Sequence, residues 1–399
     1  MTDLLEVIFW LSILLFLHSY FFYPISLILI HFFIRRKSIA SNDSYLPMVS
    51  SITSVYNEAS VIQKKIETLL SSNYPKNKLT IYIGSDASSD ESNEVIAELA
   101  KDNPQIKFFP YTERRGKSSV INDLMKEAFL SNPKAPNHIV LFTDANVMLQ
   151  ENTIFNLCQH YIDPSISLVD SCIVPIGIKD DGISRSEKAY MNYEIFIKHK
   201  ESSIWGNMMG AFGGCFTIRS TEVVDVPPNF IVDDFFLSMI VLEKNKKSIN
   251  DLKAICTEGI PNILPEEFKR KVRISSGNYQ NLVRFRKFLY SPPFSRWYCF
   301  LSHKVLRWIG PFILIAALGS CLLLSLSHKY VYQVISWILC FIVIGIPSID
   351  LILQKNNLHV KPIRNVRYFI SMNIALLKGF FIYLKGIRKS SWEPPKRSL

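Results

Sequence analysis

The sequence contains no Gly-x-Gly-x-x-Gly fingerprint, no Walker lysine loop and no internal repeat, so a dinucleotide or P-loop enzyme is disfavoured. Its seven cysteines are scattered, with no Cys-x-x-Cys and no Cys/His ligand spacing, which argues against a zinc site. Their odd number and irregular spacing suit a reduced compartment better than a disulfide framework. They read as small core residues, with Cys215 the one near a candidate site. Acidic residues are absent from 269–307, where ten Lys and Arg residues accumulate. Such a stretch has the charge to bind nucleic acid or anionic lipid. Its position directly before a hydrophobic run favours lipid headgroups and leaves no nucleic-acid role.

What the sequence has in plenty is apolar residues, at 48% beside 20% charged ones over 399 residues. They gather at the two ends, leaving a middle region long enough for one sizeable domain. Residues 7–33 are nearly continuous apolar sequence followed by Arg35-Arg36-Lys37. That run exceeds the roughly 20 residues a spanning helix needs, and it lacks the basic leader of a signal peptide. Asp3 and Glu6 precede it, so the positive-inside rule sets the N-terminus outside and the middle region in the cytoplasm. Residues 308–327 and 331–353 are two further spans, joined by His328-Lys329-Tyr330 into a hairpin. The stretch 368–384 carries Lys378 and is read as a helix at the cytoplasmic interface, with a fourth crossing as the alternative. Residues 284–307 mix basic residues with Phe285, Phe288, Tyr290, Trp297, Tyr298 and Phe300, as the membrane interface favours. The expected organisation is a membrane helix over 1–37 and a catalytic domain over 45–280. An interface segment at 281–307, a hairpin at 308–353 and a C-terminal part at 354–399 follow.

Between the membrane segments, β-rich runs alternate with helical ones. Strands are expected at 49–56, 79–85, 106–111, 139–143 and 166–174, and helices at 59–71, 91–101 and 117–129. Several strands are apolar on both faces, which argues a mostly parallel sheet covered by helices, with ligands at the strands' carboxyl ends. At those ends stand Tyr56-Asn57-Glu58, then Asp86 within a serine-rich turn, then Arg114-Arg115-Gly116-Lys117 opening a helix, then Asp144-Ala145-Asn146. Two oxygen-bearing side chains two residues apart can meet one small hard cation. The same tripeptide is also common in turns that hydrogen-bond their own backbone.

In this order the motifs resemble family 2 glycosyltransferases of the cellulose, hyaluronan and poly-N-acetylglucosamine synthase type. The resemblance covers roughly 50–277. It implies a GT-A fold, Rossmann-like, in a cytoplasmic domain flanked by transmembrane helices. By it, Tyr56, Asn57 and Glu58 lie beside the nucleotide, Asp86 contacts the nucleoside, and Lys117 lies near the base and phosphates. Asp144 and Asn146 match the metal motif, for Mg²⁺ or Mn²⁺, with a neutral oxygen in place of the last carboxylate. Met209-Gly-Ala-Phe-Gly-Gly214-Cys215 resembles the small-residue segment lining the acceptor channel, although tight helix-on-strand packing explains its glycines equally well. Val232-Asp233-Asp234 resembles the motif that supplies the catalytic base, implying that role for Asp234. The alternative is that both aspartates cap the following helix, 235–243.

Arg270-Lys-Val-Arg273-Ile274 stands where the family has Gln-x-x-Arg-Trp. Arg273, with Arg270, retains the charge to pair with a diphosphate. Loss of the tryptophan puts repeated chain extension in doubt. The expected function is single transfer from a nucleotide-diphosphate sugar, a UDP-sugar by preference, to a membrane-associated glycan or polyprenyl-linked acceptor. A processive synthase that exports its polymer and a non-catalytic membrane scaffold are the alternatives.

Overall fold

The computed structural model describes residues 2–34, 41–179, 181–327, 330–356 and 358–387. The basic cluster at 35–37, the link residues 328 and 329, and the basic tail from 388 onward lie outside the described residues. Two compact units emerge. One is built from 30–177 and 194–260, the other from 1–29, 178–193 and 261–386.

In chain order the elements are helix α1 (Thr2–Phe33), strand β1 (Met48–Val55), α2 (Ala59–Leu70), β2 (Leu79–Asp86), α3 (Ser92–Asp102), β3 (Ile106–Tyr111), α4 (Lys117–Ser131), β4 (His138–Thr143) and β5 (Val147–Leu149). Next come α5 (Thr153–Cys158), β6 (Ile166–Ile176), α6 (Ser184–Trp205), β7 (Cys215–Arg219), α7 (Asp233–Glu243), β8 (Lys247–Gly259) and α8 (Leu264–Arg284). The remainder is α9 (Phe294–Trp308), α10 (Gly310–Leu326), α11 (Tyr330–Lys355) and α12 (Lys361–Leu384).

The first unit is an eight-stranded sheet in the order β3-β2-β1-β4-β7-β6-β8-β5. From β3 to β4 every pairing is parallel, as the doubly apolar strands predict. Beyond β4 the sheet is mixed. Strand β7 runs antiparallel to both β4 and β6, β6 and β8 are parallel, and β5 returns antiparallel on β8. Helix α2 turns Val61, Ile62, Ile66 and Leu69 inward at helical spacing. Strand β4 is buried along its whole length, and Phe142 stacks on Phe216 of β7 at 5.1 Å between centroids.

This topology brings the chemistry-bearing loops together. Parallel β1, β2 and β4 end on one edge of the sheet. Because β7 is antiparallel to β4, its first residue, Cys215, faces Thr143, the last residue of β4. The glycine segment before β7 therefore arrives beside Asp144.

In the second unit α1 packs on α10, with Phe9, Cys321, Leu324 and Tyr332 buried together. Helix α12 packs along α8, where Ser275 Oγ donates to the Leu376 carbonyl at 2.9 Å. Trp10, Leu14, Trp337 and Ile344 are exposed, a surface that suits lipid rather than water. Helices α1, α11 and α12 are each long and apolar enough to cross a membrane. Helices α9 and α10 meet that test only as a pair bent by 63°, the geometry of a broken span or of a re-entrant loop.

Candidate active site

The site is built on the sheet edge where β1, β2 and β4 end. Asp86 closes β2 and is buried. Its Oδ1 accepts the Arg115 N–H at 2.6 Å and its Oδ2 the Gly116 N–H at 2.9 Å. These bonds fix the turn that opens α4, where Gly116 has φ +87°, a conformation glycine adopts without strain. The turn projects the Arg114 guanidinium over the Tyr56 ring, 3.4 Å from its centroid. One residue into α4, the Lys117 ammonium lies 2.8 Å from Asp144 Oδ1 and 3.6 Å from Asp233 Oδ2.

Asp144 is held from behind. Its N–H donates to the Gly214 carbonyl at 3.0 Å, and Thr143 Oγ1 donates to the same oxygen at 3.0 Å. A Cβ on Gly214 would lie 2.7 Å from Ile173 and 2.8 Å from Val147, so the glycine lets this strap lie close to its neighbours. Gly213 is tighter against the chemistry. A Cβ there would stand 2.5 Å from Asp234 Oδ2. The segment is anchored at both flanks. The Phe212 N–H donates to Asp170 Oδ1 at 3.0 Å, and the Ala211 N–H to Ser238 Oγ at 2.9 Å.

Asp233 and Asp234 form the first turn of α7, where the N-terminal dipole favours carboxylates. Neither is the N-cap. That position falls on Val232, which has no side-chain cap, so the capping alternative does not hold. Burial, then the adjacent Asp233 charge, pushes the Asp234 carboxyl up to about 6, against the pull of Lys117. Burial opposes the Lys117 charge, but Asp144, Asp233 and Asp234 outweigh it and hold the ammonium above its ordinary value. The arrangement offers a carboxylate that ionises near neutrality beside a firmly charged lysine.

Among the described residues, no three of His, Cys, Asp and Glu group closely enough to hold a metal by themselves. The side chains of Asp144 and Asn146 are hard oxygen donors, the chemistry that suits Mg²⁺ or Mn²⁺. With so few protein ligands, such an ion needs the oxygens of a bound diphosphate to fill its shell. The donor set fits a cation that arrives with its substrate.

Residues 50–223 match the family model described as glycosyl transferase family 2. Over that stretch, somewhat less than half of its length, the chain is similar to family 2 glycosyltransferases. It is 23% identical over 266 residues to the poly-β-1,6-N-acetyl-D-glucosamine synthase of Staphylococcus epidermidis, covering 64% of this chain and 61% of that one. It is also 23% identical over 163 residues to the β-monoglucosyldiacylglycerol synthase of Trichormus variabilis, covering 40% and 33% of the two chains. The matched stretch thus spans about three-fifths or less of these relatives. The solved mannosyltransferase PcManGT of Pyrobaculum calidifontis, in complex with GDP-mannose and Mn²⁺, superposes with TM-score 0.70 at 19% identity. The superposition covers 95% of this chain and 99% of that one. The sheet described above is accordingly the mixed α/β sheet of GT-A glycosyltransferases.

Within the first unit, Lys117, Asp144, Asp233 and Asp234 converge, with Gly214 tying Asp144 to the glycine segment. Asn57 and Glu58 also make contacts between loops. Asn57 Oδ1 accepts the Ser89 N–H at 2.8 Å, and the Glu58 N–H donates to Ser92 Oγ at 3.0 Å, so this part of the motif ties β1 to the loop after β2. Cys215 is fully buried at the start of β7, and its carbonyl accepts a bond from Ser171 Oγ at 2.6 Å. Asn146 is nearly buried, and its Nδ2 donates to Glu258 Oε1 at 2.9 Å. Arg270 and Arg273 lie on α8 in the other unit. There Arg270 is paired with Glu187 at 2.8 Å and Glu267 at 2.8 Å.

Three residues escaped the sequence reading. Lys65 is fully buried and donates from Nζ to Thr143 Oγ1 and to the Val147 carbonyl, each at 2.6 Å, bracing the Asp144-Ala-Asn turn. Burial brings its ammonium down to about 8. A lysine on the inward stripe of α2 was the available signal. Lys198 and Asp170 form a buried pair at 3.6 Å beneath the glycine segment, and burial pushes the Asp170 carboxyl up to about 7 against that cation. Their signal is weak in the sequence, because it depends on α6 meeting β6.

Proposed function

We propose that this protein is a membrane-bound inverting glycosyltransferase using a nucleoside-diphosphate sugar and a membrane-associated glycan or lipid-linked acceptor. The observation that carries the reading is the Asp234 carboxyl. It is pushed up to about 6 by burial and by Asp233, on the same rim as Lys117 and Asp144. A base titrating there is ionised at neutral pH and remains basic enough to take a proton. The acceptor hydroxyl gives its proton to Asp234 as its oxygen attacks the anomeric carbon. The bond from that carbon to the diphosphate breaks on the opposite face, so the configuration inverts. Lys117, held charged, supplies positive charge to the departing diphosphate. A divalent cation at Asp144 and Asn146 would neutralise the same leaving group.

The Arg114–Tyr56 stack offers a planar, cationic surface for a nucleobase. The complex of the mannosyltransferase of similar fold with GDP-mannose and Mn²⁺ supports a nucleoside diphosphate and a divalent ion here. UDP-sugars are the first donors to try, with GDP-sugars beside them. Three helices of spanning length and relatives that make a polysaccharide and a glycolipid support a multi-pass protein of the cell membrane. Basic residues after α1, at the end of α11 (Lys355) and at the start of α12 (Lys361, Arg364) favour a cytoplasmic catalytic unit.

The test is nucleotide release by the detergent-purified protein over a panel of UDP- and GDP-sugars with Mg²⁺ or Mn²⁺ and cell-derived lipid acceptor. Release from one donor, lost in Asp234→Asn, supports the reading. No release, together with no donor binding by calorimetry, overturns it in favour of a scaffold. Product length separates single transfer from a processive synthase.

A further inference from the structure

We propose that Glu258 carries the negative charge that Asp144-Ala-Asn146 lacks, and that it orients Asn146 for cation binding. The inference rests on the nucleotide-and-cation reading above. Strand β5 begins immediately after Asn146 and pairs antiparallel with β8, setting Val147 opposite Glu258. That register brings the Glu258 carboxylate within 2.9 Å of Asn146 Nδ2. An ionised carboxylate accepts hydrogen bonds and donates none, so it fixes which end of the amide faces it. The NH₂ group is held by Glu258, and Oδ1, the one atom of this side chain that can ligate a cation, is turned away from it. Asn146 is nearly buried, so it cannot freely exchange this partner for water.

The pair is also a matter of charge. An aspartate at 146 beside a neutral residue at 258 would bear one negative charge. Asn146 beside Glu258 bears the same charge, moved by one hydrogen bond. Cation affinity depends on the charge around the ligands as well as on the ligands, and carboxylates that orient a ligand typically contribute about 10- to 100-fold. Glu258 is therefore a positioning residue. Restoring the family's aspartate alone should not help, because it loses the amide N–H bond to Glu258 and sets two like charges at hydrogen-bond distance.

The experiment follows Mn²⁺ binding by electron paramagnetic resonance in the full-length detergent-solubilised protein, with UDP and separately with GDP. Wild type is compared with Glu258→Gln, Asn146→Asp and the double variant, which moves the carboxylate from 258 to 146. Glutamine keeps the size of the side chain and one acceptor oxygen for Asn146, removes the charge and turns the other oxygen into an NH₂ donor. Glu258→Gln is expected to weaken Mn²⁺ binding by about 10- to 100-fold. The double variant should return to within a few-fold of wild type, and Asn146→Asp alone should bind no better than wild type. A purely structural role for Glu258 would give no rescue by the swap. Wild-type affinity in Glu258→Gln, or a double variant as weak as that single one, overturns the proposal and leaves the glycosyltransferase reading standing. If wild type binds no Mn²⁺ with either nucleotide, the cation reading itself falls and takes the proposal with it.

Discussion

Gly213→Ala adds one methyl group at the point where the glycine segment passes the proposed base. The new Cβ would stand 2.5 Å from Asp234 Oδ2 and 2.9 Å from its carboxyl carbon. Ordinary contact begins near 3.4 Å, so the carboxylate must retreat by roughly 1 Å. It can do so, since it is the free end of a short side chain, and little folding energy is at stake. A misplacement of about 1 Å at a reacting group costs on the order of 100-fold in rate, or ~2.7 kcal/mol of barrier. Replacing glycine also reduces the freedom of the unfolded chain, worth about 0.4–1 kcal/mol where the conformation is compatible. The expected result is kcat down about 100-fold, with nucleotide affinity and melting temperature unchanged or the latter slightly raised. Gly214→Ala is the contrast. Its methyl meets Ile173 and Val147 side chains instead of a reacting group, so it should lose about 1–3 kcal/mol of stability to overpacking. The assay is steady-state nucleotide release beside thermal unfolding of both variants. Full activity in Gly213→Ala, with wild-type stability, would refute the placement of Asp234 as the base.

Three further outcomes are expected. The rate should rise as pH climbs through about 6, where Asp234 ionises, and Asp233→Asn should move that midpoint down by removing a like charge; a pH profile of kcat/KM checks both. Lys198→Met strands Asp170, fully buried, without its cation and should cost about 3–5 kcal/mol of stability. Burial raises the folded Asp170 carboxyl to about 7 even with Lys198 beside it, and loss of that cation raises it further, so the loss is complete at alkaline pH and shrinks as pH falls and the group protonates. Unfolding of Lys198→Met and of Asp170→Asn/Lys198→Met at pH 6 and 8 measures it, with partial recovery in the double variant. Arg114→Ala should raise the nucleotide Kd by about fivefold, near 1 kcal/mol, with kcat little changed; calorimetry with UDP and GDP reads the loss directly.

Local patterning determined a large part of this molecule. Doubly apolar runs gave β1 to β4 within one residue of their observed ends, because a strand buried on both faces leaves the same mark wherever it pairs. Apolar length made α1 and α11 visible, since a long unbroken apolar run marks a helix of spanning length without any knowledge of its partners. The acid-bearing strand ends followed from the parallel sheet, and Lys117, Asp144, Asp233 and Asp234 do meet. What tertiary structure alone decided is which charges face each other. Asn57 and the Glu58 backbone join β1 to the loop after β2, and Lys65, Lys198 and Glu258, outside every motif, bond to residues that flank Asp144 and the glycine segment. Strands β7 and β8 were not legible because their places depend on register with distant partners, antiparallel for β7 and both parallel and antiparallel for β8. A hydrogen bond such as that from Asn146 to Glu258 spans 112 residues of chain, and no local pattern encodes a contact made only when two distant strands pair.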